Sequence, residues 1–167
     1  MDTTSVNQPK IKTSPKDFFL HLLAIVTLYA SAASFITTVF QYINLAFPDV
    51  LEGGRDYWAA QGARSAIRFA LSSLIVVFPV YVWVMWFLNK SYIKEPEKRN
   101  LRIRRWLIYF TLFVTALIII GDLVALVNNL LGGEFTVRFI LKVLTVFFVA
   151  ASVFYYYFSD LRKYRTE

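Results

Sequence analysis

Four apolar stretches, at about residues 18–47, 62–88, 106–131 and 135–158, dominate this chain. Each reaches the roughly 20 residues that a helix needs to cross a hydrocarbon core about 30 Å thick. In lipid no water satisfies the backbone, so such a stretch must close its own hydrogen bonds as a helix. A single soluble core is excluded, because 167 residues that are 57% hydrophobic and 18% aromatic carry more apolar surface than it could hide. The expected fold is all-α: a polytopic membrane protein with four transmembrane helices in two antiparallel hairpins. Residues 1–14 read as a disordered polar tail, 15–161 as the transmembrane domain and 162–167 as a basic tail.

Charge sets the expected orientation. Between the second and third stretches lies Asn89 to Arg105, NKSYIKEPEKRNLRIRR, with seven basic residues opposed only by Glu95 and Glu97. A short loop this rich in Lys and Arg is retained in the cytoplasm. Of the 18 Lys and Arg, 13 lie in this loop, the N-terminal tail and the C-terminal tail, so both termini are expected inside. That distribution accounts for the net charge of +7 without a nucleic-acid partner. The absence of cysteine excludes disulfides, thiolate metal sites and thiol redox chemistry. The sequon Asn89-Lys90-Ser91 falls on the cytoplasmic side and should stay unmodified. A cleaved signal peptide, with Ala30-Ser31-Ala32 as its site, is the rival reading of the first stretch, although the apolar run continues beyond Ala32.

Local signals punctuate the helices. Ser14-Pro15-Lys16-Asp17 reads as a start, with Ser as N-cap, Pro at the first helical position and Asp17 complementing the dipole. The first span is about 45 Å long at 1.5 Å per residue, so it must tilt or project. Pro48-Asp49 ends it, and Gly53-Gly54 allows the outer turn. Pro79 should kink the second span. Trp83, Trp86, Tyr92, Trp106 and Tyr109 mark an inner aromatic belt. Gly132-Gly133 turns the third span into the fourth.

Lipid tails give no hydrophobic reward for helix association, so small and polar residues at helical spacing should mark the contact faces. Such rows are Thr27, Ser31, Ser34, Thr38 and Gln41 in the first span, and Arg64, Arg68 and Ser72 in the second. Thr111, Thr115, Asp122 and Asn129 form the third, and Arg138, Lys142, Thr145, Ser152 and Tyr156 the fourth. Ionisable side chains weigh more, since burying one at mid-membrane costs roughly 2.5–3.5 kcal/mol. Asp122 and Lys142 lie at equal distance on either side of Gly132, at one height across the hairpin, and are expected to form a buried ion pair. Arg64, Arg68 and Arg138 then carry a positive excess. Outer-loop acids such as Asp49, Glu52 and Glu134 could neutralise it, or an anionic ligand could bind there, because Arg suits bidentate recognition of carboxylate and phosphate. His21, four residues after Asp17, forms with it a candidate proton-active pair. One histidine cannot supply two haem ligands, and no phosphate loop, nucleophile elbow or metal-ligand cluster is visible. No catalytic residue, metal or cofactor is expected.

The stretches SPKDFFLHLLAIVTLYASAASFITTVFQYIN, RSAIRFALSSLIVVFPVYVW, RIRRWLIYFTLF, IIGDLV and the LGGE turn resemble a small four-helix bacterial membrane family, domain of unknown function 5671. The resemblance covers about residues 14–163. It implies a prokaryotic inner-membrane protein and carries no activity.

The residues favour a non-catalytic accessory or lipid- and anion-binding membrane subunit, with anionic lipid against the basic cytoplasmic loop. A homo-oligomer or a larger membrane complex is compatible with this. The alternative is a small oligomeric transporter or channel built around Asp122, Lys142 and Arg68. An enzyme or quinone-linked redox subunit is the weakest class, because acid-base pairs and metal ligands are missing from the pattern.

Overall fold

The computed structural model of the chain describes residues 14–47, 56–95, 101–133 and 136–163. Four helices, α1 (Pro15–Ala46), α2 (Asp56–Lys94), α3 (Arg102–Leu131) and α4 (Val137–Lys163), make up the fold. Each is long and apolar enough to cross a membrane. No strand occurs among the described residues.

The helix starts and stops follow local chemistry. Pro15 opens α1 with its fixed φ, and Asp17 lies in the first turn against the positive end of the dipole. Ser14 is extended, as an N-cap should be, but its hydroxyl makes no capping bond. Instead its carbonyl accepts the Phe18 N–H at 3.2 Å. At the other end of the second hairpin, the Gly132 N–H closes on the Asn128 carbonyl at 3.0 Å. Gly133 follows at φ +73°, a left-handed conformation that a Cβ would disfavour, and the chain reverses. The Gly53-Gly54 turn lies outside the described residues.

Two boundaries differ from the sequence expectation. Helix α2 extends beyond its apolar stretch at both ends, from Asp56 to Lys94, and α3 begins at Arg102. Most of the basic segment is therefore helical, because Lys and Arg are good helix formers whose stems cover apolar surface while their charges reach outward. Pro79 lies within α2 without ending it.

Helix α1 is the shared neighbour, packing against α2, α3 and α4, while α3 and α4 form a second close pair. Its buried face carries Thr27, Ser31 and Thr38, whose hydroxyls donate to the carbonyls of Leu23, Thr27 and Ser34 at 2.7–2.8 Å. Hydroxyls satisfied within their own helix let backbones approach without leaving a polar group stranded. The row Arg64, Arg68 and Ser72 behaves differently. All three are exposed, and α2 instead buries Ala63, Ile67, Ala70, Val84 and Leu88. Small apolar residues at helical spacing, rather than the polar ones, give this helix its contact face.

At the end where the basic segment lies, hereafter the basic end, Ala24 of α1 meets Val84, Leu88 and Tyr92 of α2 in one buried cluster. Trp83, Trp86, Trp106 and Tyr109 are exposed around this half of the molecule, as belt residues should be. Tyr92 is not one of them. It is 9% exposed and turned inward.

Candidate functional site

The basic end holds a polar network that draws on all four helices. Early in α1, the His21 ring lies between two partners. Its Nδ1 is 2.6 Å from the main-chain carbonyl of Asp17, and its Nε2 is 2.6 Å from the Tyr92 hydroxyl at the end of α2. A carbonyl only accepts, so Nδ1 carries the proton, and in the neutral ring Nε2 accepts from Tyr92. Asp17 and His21 are thus joined through the backbone, not through the Asp17 carboxylate. From α3, the Arg104 guanidinium lies over the Tyr92 ring, 5.1 Å from its centroid. The same guanidinium donates to Asp160 of α4 at 2.6 Å, with the two side chains 12% and 25% exposed.

These residues border a cavity of about 80 Å³, lined on its polar side by His21, Asn89, Tyr92, Arg104 and Asp160. Tyr157 of α4 closes its floor and hydrogen-bonds to Tyr81 of α2. Beyond Tyr81 lies a second space, an apolar cleft of about 370 Å³ between α1, α2 and α4. It exists because α2 leans on α1 and does not pack closely along α4.

The other candidates lie toward the opposite end and do not converge. Arg64 and Arg68 are exposed on α2 and make no hydrogen bond or ion pair with another described residue. Arg138 has a structural task. Its Nε donates to the Phe47 carbonyl at 2.9 Å, and a second N–H of the same guanidinium joins it. A cation placed on the last free carbonyls of α1 satisfies them and complements the negative end of the dipole. The expected Asp122–Lys142 pair does not form. Lys142 places its ammonium over the Phe40 ring of α1, 5.6 Å from the centroid. Asp122 keeps a buried Oδ2 with no hydrogen-bond partner among the described residues. Lys142 thus turns to α1, and no bond joins it to Asp122. Among the described residues, no group of three or more His, Asp or Glu could hold a metal ion.

Since Asp122 and Lys142 are separate, their substitutions should be independent. Asp122→Asn and Lys142→Met, combined, are expected to shift stability by the sum of the single effects within about 0.5 kcal/mol. Melting of the four proteins in detergent measures this. Recovery of the loss in the double variant would restore the pair.

Comparison with known proteins bears on the whole chain. The profile of the family described as Domain of unknown function (DUF5671) matches residues 17–157. The chain belongs to that family. No curated protein and no solved structure matches it. In this DUF5671 chain the matched stretch begins at Asp17 and ends at Tyr157, so it takes in His21, Tyr92 and Arg104 and stops short of Asp160.

Sequence reading missed Tyr92, Arg104 and Asp160 as one group. In the sequence Tyr92 reads as part of the aromatic belt and Arg104 as part of the basic loop. One signal is available in the sequence: Arg104 and Asp160 both lie near span ends on the same side.

Proposed function

We propose that this chain is a non-catalytic accessory subunit of a bacterial inner membrane, with both termini and the basic segment in the cytoplasm, and that it binds anionic lipid. The observation that carries the reading is the pair Arg64 and Arg68, exposed, four residues apart and unmatched by any described acid. Like charges at that spacing repel. An anion between them removes the repulsion, and guanidinium forks suit phosphate.

Helix register supports a headgroup there. Arg68 lies 24 residues along α2 from Tyr92, and Phe47 lies 26 residues along α1 from His21. At about 1.5 Å per residue both stand about 36–39 Å from the His21–Tyr92 contact. Arg68 therefore sits level with the end of α1 and with Arg138, near the height of a lipid headgroup on the far face. The transporter alternative draws less support, because Arg68 is exposed on α2 while Lys142 lies over Phe40 of α1.

Changing Arg64 and Arg68 together to Gln should reduce co-purifying phosphatidylglycerol by about tenfold in native mass spectra, corresponding to about 1.4 kcal/mol. The melting temperature should hold, since exposed substitutions shift stability by about 0.5 kcal/mol or less. Equal lipid on both proteins would refute the site. For orientation, the chain lacks cysteine, so single cysteines report cleanly. Gln61→Cys should react with an impermeant maleimide in intact cells, while Glu95→Cys should not. Labelling of Glu95→Cys would invert the topology.

A further inference from the structure

The apolar cleft of about 370 Å³ is a space of its own, separated from the polar cavity by the Tyr81–Tyr157 hydrogen bond. Its floor is α1, through Leu28, Ser31 and Phe35, and its walls are α2 and α4. Those two helices do not pack closely, so the cleft opens sideways to the bilayer. The serine hydroxyls on its surface are already satisfied. Ser31 donates to the Thr27 carbonyl and Ser152 to the Phe148 carbonyl, both at 2.7 Å. Apolar cavities of about 150 Å³ stay dry and take up small hydrocarbons. A larger apolar space facing lipid therefore takes hydrocarbon rather than water.

Cations stand above both walls. On α2, Arg64, Leu71 and Phe78 are spaced by sevens, which keeps them near one line along the helix, and Phe78 lines the cleft. On α4, Lys142 stands seven residues before Val149, another wall residue, and makes no ion pair with a described acid. The distances fit one leaflet. Leu74 lies six residues along α2 from Arg68 and Tyr81 thirteen, about 9 Å and 20 Å at 1.5 Å per residue. The headgroup layer is roughly 6 Å deep and one leaflet of hydrocarbon about 15 Å. A chain hung from a headgroup at Arg68 thus enters the cleft near Leu74 and reaches Tyr81 close to the bilayer midplane.

We infer that the cleft holds one acyl chain of an anionic phospholipid whose phosphate lies at Arg64 and Arg68. The head position rests on the arginine site proposed above, whereas the chain position rests on the cleft alone. A chain held between α2 and α4 touches protein on three sides, contacts that a lipid on the open surface lacks. The bound lipid is therefore selected by chain length as well as by charge.

The test uses the full chain, freed of lipid in detergent, with dipalmitoyl- and dihexanoyl-phosphatidylglycerol as probes and native mass spectrometry as the readout. The short chains of the dihexanoyl lipid stop near the rim of the cleft. Val149→Trp fills the cleft, so it should weaken retention of the dipalmitoyl lipid by about tenfold and leave the dihexanoyl lipid unchanged. Changing Arg64 and Arg68 together to Gln should weaken both. Unchanged retention of the dipalmitoyl lipid on Val149→Trp would overturn the chain site and leave the arginine site standing. Equal losses of both lipids on Val149→Trp would also overturn it, since the tryptophan would then be disturbing the head. Loss on Val149→Trp with none on the arginine variant would refute the arginine site alone and keep the chain in the cleft. A wild-type dimer that Val149→Trp dissociates would overturn the chain site by giving the cleft to a helix of a second copy. Should Val149→Trp fail to melt cooperatively, Ser152→Phe fills the same cleft from an exposed position and replaces it.

Discussion

Replacing Asp160 with alanine should lower the stability of the bundle by about 3 kcal/mol, the low end of the range for breaking a buried ion pair. The low end applies because Asp160 keeps 25% of its side-chain surface exposed. The loss arises from removing the carboxylate that the Arg104 guanidinium bonds, while the guanidinium itself stays over the Tyr92 ring. For a chain of this size, about 3 kcal/mol corresponds to roughly 6–12 °C in melting temperature. The double change Arg104→Met with Asp160→Leu should recover most of it, since no charge is then left behind. A double variant as unstable as the sum of the singles would show that the two residues act independently. Tyr92→Phe should cost less, about 1–2 kcal/mol, by removing one hydrogen bond to a buried histidine.

Ala24→Leu is the second large effect, expected at about 3 kcal/mol. Ala24 is 4% exposed and touches a core in which Val84 is fully buried, so the added atoms have no space. In lipid, a leucine gains nothing by leaving water, because its alternative environment is equally apolar. The added methyls therefore act only by pushing α2 away from α1. Val26→Leu, two residues on and 55% exposed, adds similar bulk toward the bilayer and should change the melting temperature by no more than a degree or two. If both variants melt alike, the contact at Ala24 is looser than the geometry requires.

Much of the fold was legible because the bilayer imposes simple conditions. Four apolar runs had to be four helices, and Pro15 and Gly133 carried starts and stops that operate locally. The height of a residue was also legible, since rise per residue can be counted. Rotation about the helix axis was not. Height alone matches Asp122 to Lys142, whereas Lys142 faces Phe40. In a soluble protein the polar face of a helix shows which side is out. Here the lipid-facing and the packed sides are both apolar, so that cue vanishes and the partner of Arg104, 56 residues away, cannot be read from spacing. Arg138 shows the same limit. Its charge was visible, whereas its carbonyl partner 91 residues earlier belongs to the tertiary arrangement.

Because α1 is the common neighbour of the other three helices, the order in which the chain is made becomes significant. Of these four helices α1 leaves the ribosome before the other three, which must all dock against it. It can pair with α2 at once, through the Ala24–Val84 contact and the His21–Tyr92 bond. Its remaining face must wait, still solvated by lipid, until α3 and α4 have been synthesised. Domains and hairpins made early generally fold first. An N-terminal hairpin produced alone should therefore insert and stay intact, whereas an α3–α4 hairpin produced alone lacks the surface that orients it. Supplying the two halves as separate polypeptides, split within residues 96–100, would let the first half act as a template for the second.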